Sequence, residues 1–245
     1  MQRFSRTELL LGEQAFSRLA NSHVAVIGVG AVGGYAIEGL ARAGLGQLTL
    51  VDFDSIQPTN INRQILATER TIGKPKVDAA RERIISINPH CQTQPLELFA
   101  DDQSITRVLE MKPDLVIDAI DSVNPKTQVL QTTYQSGVTV ISSMGAALRT
   151  DPEKIKIGDI SQTSNCPLAK IIRKRLRSRG IQSGITCVYS TEQVQFDFTQ
   201  SNLDDSQDPQ YPRGRKRNTL GSLPTLTGIF GLILANLAIK TLTEK

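Results

Sequence analysis

Residues 24–64 read VAVIGVGAVGGYAIEGLARAGLGQLTLVDFDSIQPTNINRQ, and the fold turns on this stretch. Residues 24–29 form an apolar, β-branched run that reads as a buried strand. Gly28, Gly30 and Gly33 follow in G-x-G-x-x-G spacing. Such glycines let backbone N–H groups approach phosphate at a helix N-terminus. A helical pattern runs to Ala41, then a second strand over residues 47–51 leads into Asp52. An acidic residue about 20 positions after the turn is placed to take a ribose hydroxyl pair. This strand, turn, helix and strand suit NAD, FAD or ATP alike.

Outward from that unit, residues 4–19 read as one helix in front of it. A polar loop over residues 55–66 follows it, and Gly73, Lys74 and Pro75 turn the chain into a helix over residues 76–88. Strands are expected at residues 92–99, 115–120 and 138–144, with helices at 103–111 and 126–136. Strands and helices alternate to about residue 145. The reading is α/β, a Rossmann-like, mostly parallel sheet with helices on both faces. Residues 155–160 and 186–190 look like strands of a separate, antiparallel extension, with a basic helix over 167–179 between them. Residues 199–221 form a long polar loop. Residues 223–239 are apolar but short for a membrane span, and Pro224, Gly228, Gly231 and Asn236 interrupt them. A buried or dimer-interface helix is expected there, with no stable membrane insertion.

The chain has 245 residues, 39% hydrophobic, enough for a real core. Aromatics are only 4% with no Trp, which argues against base stacking on aromatic platforms. Net charge is +4, so a nucleic-acid surface would have to come from local clusters. Cys91, Cys166 and Cys187 are scattered and include no C-x-x-C, so neither a zinc ribbon nor a disulfide framework can be read. The expected compartment is reducing and cytoplasmic.

The residues after Asp52 narrow the ligand. Asp54, Asn60, Asn62, Arg63 and Gln64 follow, then Lys74 and Lys76. Arg63 and Lys76 can neutralise a triphosphate. Asp54 or Asp121 can hold magnesium, which binds through one or two carboxylates plus phosphate oxygens. That set suits ATP better than a dinucleotide.

In this order and spacing the chain resembles the ubiquitin-activating-enzyme-like superfamily of adenylating enzymes, which includes ThiF, MoeB and HesA. The resemblance is carried by Gly28, Gly30 and Gly33, by D-F-D at 52–54, by N-x-N-R-Q at 60–64, by G-K-P-K at 73–76 and by D-A-I-D-S at 118–122. It implies ATP and Mg2+ as cofactors, with Asp52 on the ribose, Asn60, Arg63, Gln64 and Lys76 around the phosphates, Asp121 on magnesium and Ser122 beside it. It also implies a homodimer in which the R-F-S-R motif sends Arg6 into the partner's ATP site. The reaction would be attack of a carboxylate on the α-phosphate. A single adenylating domain over 1–245 is implied, with an ATP-binding part to about 150 and a substrate and dimer part beyond it.

Within that superfamily the zinc thiolates of sulfur-carrier activators are missing, so zinc is not expected. The second half resembles the branch that dehydrates threonylcarbamoyladenosine in tRNA, through IKIGDISQTSNCPLAKIIRKRLRSRGI and CVYSTE, then GSLPTLTGIFGLILANLAIK. ATP would activate the substrate carboxylate, and a nearby carbamoyl group would close a ring and release AMP. Two basic clusters become candidate tRNA contacts: Lys170, Arg173, Lys174, Arg175, Arg177 and Arg179, and Arg213, Arg215, Lys216 and Arg217. Cys187 reads as a buried small side chain or, by resemblance, as a thiol accepting sulfur from a cysteine desulfurase partner. The sequence leaves a monovalent cation open. Two alternatives stay open here: an adenylyltransferase for the C-terminal carboxylate of a ubiquitin-like sulfur carrier, and a non-catalytic nucleotide-binding adaptor.

Overall fold

The computed structural model describes residues 2–194 and 220–244. Its strands are β1 (His23–Ile27), β2 (Gln47–Val51), β3 (Gln92–Leu96), β4 (Leu115–Asp118), β5 (Thr139–Ser143), β6 (Ile155–Asp159) and β7 (Thr186–Ser190). They form one sheet in the order β3-β2-β1-β4-β5-β7-β6, in which only the β6–β7 pairing is antiparallel. The connections run outward in both directions from β1. The β1–β4 boundary is therefore the topological switch point, where α/β sheets bind ligands beyond the strand C-termini.

Burial explains which runs became central strands. All five residues of β1 are buried, as a strand covered on both faces requires. β3 alternates in exposure and carries Pro95, which an edge strand tolerates. Alternate residues feed two cores. Val24, Val26, Leu48, Leu50, Leu115 and Ile117 pack with helices α3 (Gly33–Ala43), α4 (Lys76–Ile87) and α8 (Pro224–Thr243). Ala25, Ile27, Val116 and Val140 pack on the other face with α5 (Asp102–Glu110), α6 (Val123–Gln135) and α7 (Pro167–Arg177).

The doubly covered parallel sheet is as expected, but several boundaries move. The expected helix over 4–19 is two helices, α1 (Ser5–Leu11) and α2 (Glu13–Ala20), broken at Gly12, whose φ of 82° disfavours other residues. β4 stops at Asp118 because its own carboxylate takes the Ile120 N–H at 3.1 Å. α6 starts three residues before the expected Lys126. β7 does not belong to a separate arrangement: it pairs parallel with β5, and only β6 reverses. α8 has the length and composition of a membrane span, with a mean hydropathy of 1.6, yet half of it is buried in the protein. A Cβ on Gly231 would come within 2.3 Å of the Val32 carbonyl oxygen, so α8 lies directly on α3.

Candidate active site

The Gly-rich turn sits at the switch point. Gly28 leaves β1 at φ 89° and donates its N–H to the Val51 carbonyl at 2.8 Å. A Cβ at Gly28 would lie 2.9 Å from the Ala119 carbonyl oxygen, and one at Gly33 only 1.8 Å from that of Gly28. These two glycines are demanded by the protein's own packing. Gly30 differs, since a Cβ there would meet nothing nearer than the Gln64 Nε2 at 3.8 Å. Its missing side chain keeps open the approach to the N-terminus of α3, where phosphate is favoured.

Asp52, just past β2, ties the turn to the loop that follows. One carboxylate oxygen accepts the Val29 N–H at 2.7 Å and the other the Asp54 N–H at 2.9 Å. Burial pushes its pKa above the ordinary aspartate value, against the opposing pull of Lys76. Lys76 reaches the site because the chain folds back on itself: the Ile56 N–H donates to the Lys74 carbonyl at 2.9 Å, and the Lys76 N–H donates to that of Asp54 at 3.0 Å. The Lys76 ammonium then pairs with Asp54 at 2.7 Å and lies 3.9 Å from Asp52. Lys74 points elsewhere, to Glu82 at 2.8 Å.

The N-x-N-R-Q stretch supplies fewer free side chains than its motif suggests. The Asn60 Oδ1 accepts the Gln57 N–H at 3.0 Å and shapes a 3-10 turn. Asn62 donates to the Ser222 carbonyl at 3.3 Å, just ahead of α8. Arg63 donates to the Thr59 carbonyl and the Asn62 side chain, both at 2.9 Å. Gln64 is buried next to Gly30, and its Oε1 has no hydrogen-bond partner. A buried acceptor left unpaired costs about 1–3 kcal/mol. A donor on a ligand lying over Gly30 would satisfy it, so the residues present fit a nucleotide.

Asp121 is exposed past β4, and the Ser122 hydroxyl donates to its Oδ1 at 3.3 Å. Asp118 points inward instead. It is fully buried, pairs with Lys126 at 2.6 Å and accepts the Ser142 hydroxyl at 2.6 Å. Lys126 was missed by the sequence reading. Nothing in the sequence marked it; in the structure its neighbours Pro125, Thr127 and Val129 are all buried.

Other expected residues lie apart from this group. Arg6 is exposed on α1, between two segments that pack at the far end of α3: Phe4 and Phe16 close on Gly44, and Arg3 donates to the Ile87 carbonyl at 2.6 Å. Three of the six cations around α7 are occupied within the protein. Arg173 bonds the Thr163 carbonyl at 2.7 Å, Arg175 bonds Asn124, and Arg179 bonds Gln131 at 2.6 Å. These straps hold α7 to its surroundings, so an open basic face is reduced to Lys170, Lys174 and Arg177, all exposed. Arg213, Arg215, Lys216 and Arg217 lie outside the described residues. Cys187 is fully buried in β7, its pKa raised by burial, and its thiol donates to the Ile185 carbonyl. A protonated thiol sealed in the core is poorly placed to accept sulfur from another protein.

Comparison with known proteins extends this geometry. A family model described as the ThiF family matches residues 4–245, and the chain belongs to that family. The tRNA threonylcarbamoyladenosine dehydratase of Bacillus subtilis is 42% identical over 192 residues, 78% of this chain and 76% of that protein. The crystal structure of the E. coli tRNA N6-threonylcarbamoyladenosine dehydratase in complex with ATP aligns with a TM-score of 0.86 at 33% identity, over 99% of this chain and 94% of that one. The molybdopterin-synthase adenylyltransferase of Salmonella typhimurium is 37% identical, but over only 62% of this chain and 60% of its own.

Proposed function

We propose that this chain uses ATP to dehydrate threonylcarbamoyladenosine in tRNA, closing a ring on the modified base. The observation that carries the reading is similarity to the dehydratases across the whole chain, second half included, where the adenylyltransferase covers 62%. The nucleotide site supports it. The glycine turn and the α3 N-terminus would receive phosphates, Asp52 the ribose, and Gln64 Oε1 a ligand donor. Lys76 and Arg63 would neutralise charge at the α-phosphate as the substrate carboxylate attacks it. Asp121, oriented by Ser122, would hold magnesium, which would screen the phosphates. The carbamoyl group, already on the same side chain, then displaces AMP, and proximity removes the need for an enzyme nucleophile. The buried Cys187 is in keeping with that economy.

The same reading places the chain in a cytoplasmic homodimer. α1 has no buried residue, and its Leu9 and Leu10 are 84% and 85% exposed. A second copy covering them would carry Arg6 away from its own site, which lies a full α3 length off, towards its neighbour's. Lys170, Lys174 and Arg177 offer themselves to tRNA phosphates.

The test is incubation with ATP, magnesium and tRNA bearing threonylcarbamoyladenosine, with nucleosides read by mass. A product lighter by one water is expected, and none from Asp121→Ala. Turnover of a sulfur-carrier protein with none of tRNA would overturn the reading. Mixing Arg6→Ala chains with Asp121→Ala chains should restore part of the activity if Arg6 works across the dimer.

A further inference from the structure

The buried pair beneath the switch point does more than fill space. Lys126 and Asp118 are both fully buried and 2.6 Å apart. A buried ion pair is rarely more stable than a well-packed apolar pair of similar volume. What an apolar pair cannot do is bind backbone. Lys126 Nζ donates to the Ile120 carbonyl at 2.9 Å, and Asp118 Oδ1 accepts the Ile120 N–H at 3.1 Å. The Ala119 N–H is taken by the Ile27 carbonyl at 2.8 Å. Every peptide group leading from β4 to Asp121 is thereby anchored. The Gly-rich turn rests on the same segment, since a Cβ on Gly28 would stand 3.2 Å from the Ile120 nitrogen. Ser142, opposite Asp118 in the sheet register, holds the carboxylate from β5 through its 2.6 Å hydrogen bond.

We infer that Lys126, Asp118 and Ser142 are positioning residues that fix Asp121 against the nucleotide turn, and so set how tightly a divalent cation is held beside a bound nucleotide. This rests on the assignment of Asp121 to the metal given above. The pair forms a strut: one end is the glycine turn, the other the exposed carboxylate. Without it the Ile120 peptide could rotate, and Asp121 would sample positions that do not face the phosphates.

The test measures Mn2+ binding by electron paramagnetic resonance, with a non-hydrolysable ATP analogue at saturation, and analogue affinity without metal by calorimetry. The double variant Asp118→Leu/Lys126→Met keeps an apolar pair in place of the ion pair. It is expected to bind the analogue within about twofold of the unaltered protein and Mn2+ about tenfold more weakly, on the scale of outer-shell metal-site partners. Ser142→Ala, a milder change that guards against misfolding of the double variant, is expected to weaken Mn2+ about threefold on the same logic. Asp121→Asn is the reference. If it weakens Mn2+ while the double variant and Ser142→Ala both match the unaltered protein, the strut is wrong and the metal assignment stands. If Asp121→Asn leaves Mn2+ binding unchanged, both the metal assignment and the strut fall. Equal loss of metal-free analogue affinity and Mn2+ affinity would reduce the pair to ordinary core packing.

Discussion

Two lysine–aspartate pairs flank the switch point, and they are built for opposite purposes. Lys76–Asp54 is 2.7 Å long and opens to solvent on one side only, with the Asp54 side chain 22% exposed and that of Lys76 buried at 7%. Lys126–Asp118 is 2.6 Å long and fully buried on both sides. Near solvent a carboxylate can release its lysine at modest cost, because water and a ligand phosphate replace it. In the interior nothing replaces it. On the proposed function, the first pair is a holding position for a cation that would act on ligand. The second is fixed framework. The chemistry is identical, and the opening of Asp54 to solvent is what separates the two pairs.

The contrast can be broken most forcefully at the buried end. Lys126→Met alone leaves Asp118 without its partner, and thermal unfolding should show a loss of about 3–5 kcal/mol. A loss under 1 kcal/mol would mean the pair is not fixed framework. Lys76→Ala should do the reverse. Single-turnover dehydration is expected to fall about 100- to 1000-fold, the scale for removing one group that stabilises transition-state charge, with a smaller loss of stability than Lys126→Met because Asp54 opens to solvent. A half-open case lies between them. Glu38, buried on α3, accepts from Arg83 and Arg42 at 2.8 and 2.7 Å. Burial opposes its ionisation, but the two arginines win and hold its pKa below the ordinary 4.5. A depressed carboxylate stabilises the fold above its unfolded pKa and loses that contribution as pH falls through the folded one. Glu38→Gln should therefore cost about 0.5–1 kcal/mol at pH 7, and the gap should close below pH 4.5 in denaturant titrations. At the exposed extreme, Lys74–Glu82 has side chains 42% and 62% exposed. Lys74→Ala should leave stability and turnover within error, since such pairs contribute about 0–1 kcal/mol.

Legibility followed the same line between local and buried. Gly28, Gly30, Gly33, Asp52 and Lys76 were expected together, and the fold brings them together, because each belongs to a short motif whose spacing is the geometry. Asp118 and Asp121 are told apart by resemblance, which puts Asp121 on magnesium, and not by local pattern. They sit three residues apart in one motif, and only the end of β4 decides that one faces the core and the other water. Lys126 escaped because a lysine near a helix start ordinarily faces solvent. The α7 arginines looked like one basic face because their partners, Thr163, Asn124 and Gln131, come from other elements. The parallel pairing of β7 had no local signature either, since TCVYS suits either direction. The expected helix over 4–19 passes over the Gly12 break, although a glycine in mid-helix carries its own warning.

The contact between α3 and α8 has a consequence for how the chain is made. α3 emerges during synthesis well before residues 224–243, which close its outer surface. Phe230, Leu234, Ala235 and Ala238 complete the same core as Val24, Val26 and Leu40. Until those late residues arrive, a nascent chain carries a glycine-lined apolar groove open to its surroundings, the kind of surface that invites aggregation. The nucleotide-binding unit is thus synthesised well before the helix that completes its core.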